Sequence, residues 1–468
     1  MARSKNSERG GAKLPLVSGL LHALVGKGQL TIVDAAGRRH VFGEGGSDLR
    51  VVARLHDRSL PWKLALAPSL ALGEAYMDGR FTIESGSLRQ FLEIVTSNLA
   101  ALDAHPLRRV RDRLSGLGLR WRRRNPRKRA RANVEHHYDL SGSLYGLFLD
   151  ADRQYSCGYF AEGCDTLEDA QAAKKRHLAA KLLLKPGNRV LDIGCGWGGL
   201  ALDLARQADV RVQGITLSGE QLEEARARAR ACGLAERVRF DLLDYRDVGE
   251  RFDRIVSVGM FEHVGLAHYD EFFSRLGRVL APDGVAVVHA IGRRLPPCGM
   301  DPWISKYIFP GAYVPALSEV MAAVERSGLW VTDVEILRVH YAETLRHWYE
   351  RFQENRHHAR ALYDERFCRM WEFYLATCEM LFRQGDLMVF QIQLAHGRDA
   401  VPLTRDYITD HDRSSAAPAC RPVGDRRQPI PVSAAANPRA DTPGEAALRF
   451  GSKRAASREE AVPDDSSG

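Results

Sequence analysis

The chain has 468 residues, of which 45% are hydrophobic and 27% charged, enough apolar material for two domains with cores of their own. Its formal net charge of +8 is modest but concentrated, because Arg108 to Arg131 reads RRVRDRLSGLGLRWRRRNPRKRAR. The eight cysteines (157, 164, 195, 232, 298, 368, 378 and 420) form no C-x-x-C pair, which argues against a disulfide framework or a structural zinc site. No apolar run reaches the ~18 residues a spanning helix needs, and Met1 to Leu14 has no apolar signal region. These features predict a soluble, cytoplasmic protein.

Taken in chain order, residues 1–14 read as disordered and residues 15–107 as a small mixed α/β domain. That region has strand-like pieces at Leu30 to Asp34 and Leu49 to Arg54, and a turn-rich stretch from Gly73 to Gly79. Residues 108–132 read as a basic linker or solvated helix. From residue 133 to about 400, helices and strands alternate, as a doubly wound parallel α/β sheet of the Rossmann-like type requires. The strand candidates are Arg189 to Ile193, Val210 to Thr216, Val238 to Leu243, Phe252 to Val258 and Gly284 to Ala290, with amphipathic helices between the first four. Residues 401–468 turn to Pro, Ala, Ser, Arg and Asp without hydrophobic periodicity and read as a disordered tail.

The string Val190-Leu-Asp-Ile-Gly-Cys-Gly-Trp-Gly-Gly199 follows a predicted strand and opens a helix from Leu200 to Arg206. Gly194 and Gly196 permit backbone angles that a side chain would resist and let the main chain approach a ligand. Asp192 stands two residues before the first glycine. A dinucleotide site wants G-x-G-x-x-G and an acid after the second strand. Here the second strand ends in Gly214-Ile-Thr-Leu-Ser218, with no acid at its tip. The pair Asp244-Tyr245 ends the third strand, where methyltransferases of this fold commonly bind adenine. That placement is analogy at the level of the fold.

Several longer strings then carry a specific resemblance. They are Asn133-Val-Glu-His-His-Tyr-Asp-Leu140, Gln154-Tyr-Ser-Cys-Gly-Tyr-Phe160, the glycine loop, Gly214 to Ser218 with Gln221, Val256-Ser-Val-Gly-Met-Phe-Glu-His-Val-Gly265, Asp301-Pro-Trp-Ile-Ser-Lys-Tyr-Ile-Phe-Pro310 and Trp348-Tyr-Glu-Arg-Phe352. From about Gly73 to His396 the chain resembles the cyclopropane-fatty-acyl-phospholipid synthases and the related mycolic acid cyclopropane synthases. The resemblance implies a class I S-adenosylmethionine-dependent methyltransferase that adds a methyl group to the cis double bond of an acyl chain on a membrane phospholipid, followed by proton loss and ring closure. It implies that the cofactor lies against Tyr155, Ser156, Asp192, Gly194, Cys195, Gly196, Gly198, Thr216, Leu217, Gln221, Asp244, Tyr245 and Arg246. It further implies a bicarbonate ion, acting as base, among Cys157, Glu262, His289, Ile291 and Tyr341, and a cysteine discussed as catalytic at Cys378. A homodimer is compatible with it.

The chemistry asks for such groups. An alkene is a poor nucleophile and must be held close to an activated methyl away from water. The cation then formed needs negative or π-rich neighbours and a base for one proton. Glu262 and His289 fall at the carboxyl edge of the predicted sheet, where open α/β sheets place their sites. The plainer readings are that Glu262 caps a helix and His289 satisfies a local hydrogen bond. Cys157 reads either as part of a lid or as a small buried hydrophobe. Cys378 shares a helical stripe with Trp371, Leu375 and Phe382, an ordinary core pattern. His136 and His137 point about 100° apart on a helix and are not expected to bind a metal. Trp303, Tyr307, Phe309 and Tyr313 read equally as the wall of an acyl tunnel or as core.

Polybasic segments gain about 1 kcal/mol per Lys or Arg near an anionic bilayer, so the block from Arg108 to Arg131, with Trp121, is expected to hold the protein peripherally at the inner face of the membrane. Two readings compete with ring formation: an enzyme of the same family making a methyl-branched or methylene product, and an RNA or DNA methyltransferase using the basic block. The latter usually carries Asn/Asp-Pro-Pro-aromatic after the fourth strand, where this chain has Met260-Phe-Glu-His263, so no nucleic-acid partner is expected. The segment Arg293 to Met300 is lengthened by prolines relative to the family pattern.

Overall fold

The computed structural model describes residues 25–43, 48–98, 142–162 and 164–414. The basic block, the His136–His137 pair, Cys420 and residues 1–14 lie outside them. Described residues fall within one compact unit, Met1–Ala417.

The amino-terminal part forms a four-stranded sheet of order β2-β1-β3-β4, from β1 (Gln29–Val33), β2 (Arg39–Gly43), β3 (Arg50–Leu55) and β4 (Phe81–Ser85). The alternation of buried and half-exposed residues along β3 marks one face packed and one open. Gly73 to Gly79, expected as a turn, lies mostly within helix α1 (Pro68–Met77). The glycine serves packing instead: a Cβ on Gly73 would meet the Trp303 ring at 2.4 Å. Helix α2 (Leu88–Ser97) begins with a capping box between Ser87 and Gln90.

The second sheet has seven strands in the order β10-β11-β9-β8-β5-β6-β7. Strands β5 (Arg189–Ile193), β6 (Arg211–Thr216), β7 (Val238–Leu242), β8 (Phe252–Val258) and β9 (Leu280–Arg293) are parallel to their neighbours in this set. Val190, Leu191, Ile255, Val256 and Val285 to Val288 are fully buried, as strands covered on both faces must be. Helices α3 (Leu167–Leu182), α4 (Gly199–Gln207), α5 (Gly219–Ala231) and α6 (Tyr269–Val279) belong to this layer. Between β7 and β8 the expected amphipathic helix is absent. A single 3₁₀ turn, Tyr245–Asp247, makes the crossing, because Asp244 accepts from the Arg246 N–H and closes the chain tightly there.

Strand β9 runs three residues past Ala290, so His289 lies inside the strand rather than at its end. This extension pairs with β11 (Leu387–Ala395), which is antiparallel to both β9 and β10 (Trp330–Ile336). Helices α7 (His340–Glu354) and α8 (Glu365–Gln384) pack together and join the core that also holds α1 and α2. The tail also differs from expectation: Asp406–Ser414 forms helix α9, docked on α3 with Ile408 buried and Asp412 bonded to His177.

Candidate active site

At the carboxyl ends of β5, β6, β7 and β8 a cavity is lined by Tyr155, Ser156, Asp192, Gly194, Cys195, Gly196, Thr216, Leu217, Gln221, Asp244, Tyr245 and Arg246. All the predicted cofactor residues except Gly198 face it. Gly198 has φ of +82° at the start of α4, and a Cβ there would meet the Phe240 ring at 2.6 Å, so its glycine answers to the packing of β7. Gly194 (φ +83°) and Gly196 (φ +55°) turn the chain in the left-handed region, with open space beside Gly196.

Polar groups of this cavity are held by short local bonds. The Asp244 carboxylate accepts from the Arg246 backbone N–H at 3.0 Å and from its guanidinium at 2.6 and 2.8 Å. Gln221 faces Thr216 Oγ1 at 3.1 Å and follows the Ser218 cap of α5. Asp192 is buried, and its Oδ2 has no hydrogen-bond partner among the described residues. Burial raises its pKa to about 7, with the Lys174 charge working the other way.

The predicted bicarbonate residues and Cys378 form a second set, off the cavity lining. Glu262, in the 3₁₀ turn Phe261–His263, accepts the Ile291 backbone N–H on Oε1 at 2.6 Å, while its Oε2 has no partner among the described residues. Burial raises the Glu262 pKa to about 7. His289 is buried with Nδ1 3.1 Å from Gln391 Nε2, and burial lowers its pKa to about 3, leaving the ring neutral. Burial keeps the Tyr341 hydroxyl protonated, with Tyr155, Cys157, Cys378 and Glu262 contributing to its electrostatic surroundings. Cys157 is fully buried and its thiol is pushed far up by burial. Cys378 lies half-buried on α8 beside the core stripe, its thiol raised to about 12 by burial. None of these six lines the cofactor cavity. Tyr155 bears on both sets: it lines the cavity, it contributes to the electrostatic surroundings of Tyr341, and its hydroxyl lies 2.9 Å from that of Tyr374 on α8.

Residues missed by sequence reasoning are Lys174 and Gln171 on α3. Lys174 Nζ donates to Gln154 Oε1 at 2.7 Å and to Ser156 Oγ at 2.8 Å, and Gln171 Nε2 donates to the Ser156 carbonyl at 2.9 Å. Their three-residue spacing was the available signal, but polar residues on an amphipathic helix are ordinarily its solvated face. His263 also lines the cavity, with its pKa lowered to about 4 by burial. Trp303 is core: it is 1% exposed and donates from Nε1 toward Met77 Sδ at 3.3 Å. Phe309 approaches the site, 5.7 Å from the Tyr374 ring. No group of three or more His, Cys, Asp or Glu residues arranged for a metal occurs among the described residues.

The parallel strands in the order β9-β8-β5-β6-β7, with a glycine turn after β5 and a cavity across the strand ends, have the architecture of the class I S-adenosylmethionine-dependent methyltransferases. The family described as mycolic acid cyclopropane synthetase matches residues 125–392. The cyclopropane-fatty-acyl-phospholipid synthase of Escherichia coli is 41% identical over 329 residues, covering 70% of this chain and 84% of its own. A probable fatty acid methyltransferase of Pseudomonas putida is 40% identical over 352 residues, covering 72% and 85%. The solved structure of the mycolic acid cyclopropane synthase CmaA1 with SAH and CTAB superposes with a TM-score of 0.55 at 36% identity, covering 58% of this chain and 99% of that one. The chain belongs to the mycolic acid cyclopropane synthetase family and is an S-adenosylmethionine-dependent C-methyltransferase.

Proposed function

We propose that this protein is a cyclopropane-fatty-acyl-phospholipid synthase, converting the cis double bond of an unsaturated phospholipid acyl chain into a cyclopropane ring. The observation that carries this reading is Glu262: a buried carboxyl with one oxygen engaged by Ile291 and the other left over, within electrostatic reach of Tyr341 and next in the chain to His263 of the cavity wall.

The residues fit the methyl donor. The unpartnered oxygen of Asp192 and the open space beside Gly196 suit a cationic ligand lying along the glycine turn. Tyr155, Ser156, Asp192, Gly194, Cys195, Gly196, Thr216, Leu217, Gln221, Asp244, Tyr245 and Arg246 would hold it. When bound, S-adenosylmethionine supplies an electrophilic methyl group. The chain's own work is to exclude water with Tyr155, Trp348 and Tyr374 and to offer Glu262 and the aromatic faces to positive charge developing on the lipid.

Bicarbonate would be held by pairing both its donor and its acceptors: its O–H would donate to Glu262 Oε2, which is buried without a partner among the described residues, and its oxygens would accept from the protonated Tyr341 hydroxyl. Cys157, Glu262, His289, Ile291 and Tyr341 would surround it, and it would supply a base for one proton. His289, neutral and tethered to Gln391, and Tyr341, held protonated, leave the anion its charge.

The substrate lies in a bilayer. No helix among the described residues is long and apolar enough to cross a membrane. We assign peripheral attachment at the cytoplasmic face to the block from Arg108 to Arg131. An Arg-to-Gln block variant should lose binding to anionic vesicles at low salt; unchanged sedimentation overturns the assignment.

A second reading, favoured by the likeness to a probable fatty acid methyltransferase, is a methyl-branched or methylene product. One experiment separates them. The protein is incubated with labelled S-adenosylmethionine and unsaturated phospholipid vesicles, and the lipid product is taken to mass and proton spectra. A gain of one CH₂ with ring protons supports the synthase; vinylic methylene protons, or a methyl branch on a retained double bond, support the second reading. Label in RNA and none in lipid sinks both.

A further inference from the structure

The segment from Gln154 to Gly158 carries no helix or strand of its own, yet it supplies Gln154, Tyr155 and Ser156 to the wall of the cofactor cavity. A loop so placed must be fixed from outside, because its own backbone makes no ladder or helical bonds. Its anchors come from its flanks: Asp150 Oδ1 accepts the Gln154 N–H at 2.7 Å, Thr344 Oγ1 accepts the Gly158 N–H at 2.9 Å, and Gln171 donates to the Ser156 carbonyl. Among the described residues, only Lys174 binds two of its side chains at once, and it is a charged group with no exposed surface.

We propose that Lys174 is a positioning residue for the methyl donor, pinning Gln154 and Ser156 against the cavity from behind while placing a fixed positive charge beneath the glycine turn at Asp192. The inference rests on the assignment of that cavity to the methyl donor.

Three observations support it. A lysine with no exposed surface is costly unless it is paired, and a methionine of similar volume would fill the space without that cost. The titratable groups that face it are specific: Asp150 and Asp152 from the chain before the segment, the neutral thiol of Cys157 within it, Lys175 beside it on α3 and Asp192 near the end of β5. Burial lowers the lysine's pKa to about 8, and the same charge opposes the upward shift of Asp192 and reaches His289 on β9. The lysine thus touches the wall by hydrogen bonds and the glycine turn by its field. The neighbouring Lys175 plays a different part, donating to Asp152 at 2.8 Å at the rim.

The test uses the full chain, S-adenosylhomocysteine as the probe in titration calorimetry, and steady-state kinetics with S-adenosylmethionine. Lys174→Met should weaken probe binding about tenfold or more and raise KM for the donor similarly, with kcat changed by less than about threefold. Ser156→Ala should weaken binding less in the Lys174→Met background than in the parent, since part of its effect runs through the contact the two share, and equal losses in the two backgrounds overturn that coupling. A folded Lys174→Met protein that binds the probe within about twofold of the parent overturns the proposal. If that variant does not fold, the double variant Gln154→Met with Ser156→Ala removes both acceptors and keeps the lysine. The same tenfold loss is then expected, by the same affinity arithmetic, and unchanged binding overturns the proposal. Failure of the parent itself to bind the probe overturns the cavity assignment, a result separate from any effect at Lys174.

Discussion

The backbone N–H of Ile291 donates to Glu262 Oε1 at 2.6 Å, joining the turn after β8 to the extended end of β9. This bond fixes the carboxyl without using both its oxygens. Glu262→Gln preserves the acceptor for Ile291 but removes the negative charge. It should lower kcat by about 10²-fold or more while S-adenosylhomocysteine affinity stays within about twofold. A comparable loss of probe binding would contradict the separation of the two polar groups.

The same carboxyl makes stability depend on pH. Burial lifts its pKa from 4.5 to about 7, so the native state holds this proton more tightly than the unfolded chain. The penalty is absent below about pH 4.5, grows as pH rises toward 7 and is complete above it, amounting to about 3 kcal/mol for a fully buried group. Glu262→Gln should therefore melt higher than the parent at pH 8 and close to it at pH 5. Equal melting differences at the two pH values would remove the basis for this account.

Gly194 holds φ of +83°, and a Cβ there would lie 2.8 Å from Met260 Cβ. Gly194→Ala adds about 1–2 kcal/mol of backbone strain and displaces a residue that lines the cavity. Binding of S-adenosylhomocysteine should weaken about tenfold or more, as calorimetry can read. Undiminished binding would mean that the turn does not face the donor.

Cys378 should prove dispensable for chemistry. Its thiol is raised to about 12 by burial, leaving almost no thiolate at neutral pH. Cys378→Ser is expected to keep kcat within about threefold of the parent. A loss beyond about 10²-fold in a folded variant would restore a catalytic role for it.

His177 stands between two carboxylates, with Nδ1 2.7 Å from Asp412 on α9 and Nε2 2.7 Å from Glu335 on β10. Burial opposes its charge, but these two bonds prevail and raise its pKa above 6.5. A raised histidine contributes stability in full below its unfolded value and loses it as pH climbs through the folded one. Asp412→Asn should cost about 2 kcal/mol near pH 6, with the difference fading at alkaline pH. Thermal melts across that range, together with protease sensitivity near Arg405, provide the check.

Much of this was legible from residues alone. The strands β5 and β8 and the turn from Asp192 to Gly199 follow from local pattern, because buried parallel strands are continuous apolar runs and glycine marks where the chain must turn left-handed. Strands β10 and β11 were not legible. β11 buries Gln391 and Gln393, each bonded through Nε2 to a distant partner, His289 Nδ1 and the Lys181 carbonyl respectively. Helix α9 was missed for a related reason: a short polar helix is marginal by itself, and it is its docking on α3, through Ile408 and Asp412, that holds it.

What the sequence determined unaided was the class of chemistry, through motifs whose function depends on local backbone shape and residue type. Tertiary structure alone decided which polar groups share a space: that Glu262 keeps a free oxygen, that Tyr155 bears on both sets, and that Lys174 faces inward. The reason is physical. Burial and pairing are set by residues far apart in the chain, and they govern the charge and hydrogen bonding of a side chain more than its neighbours in sequence do.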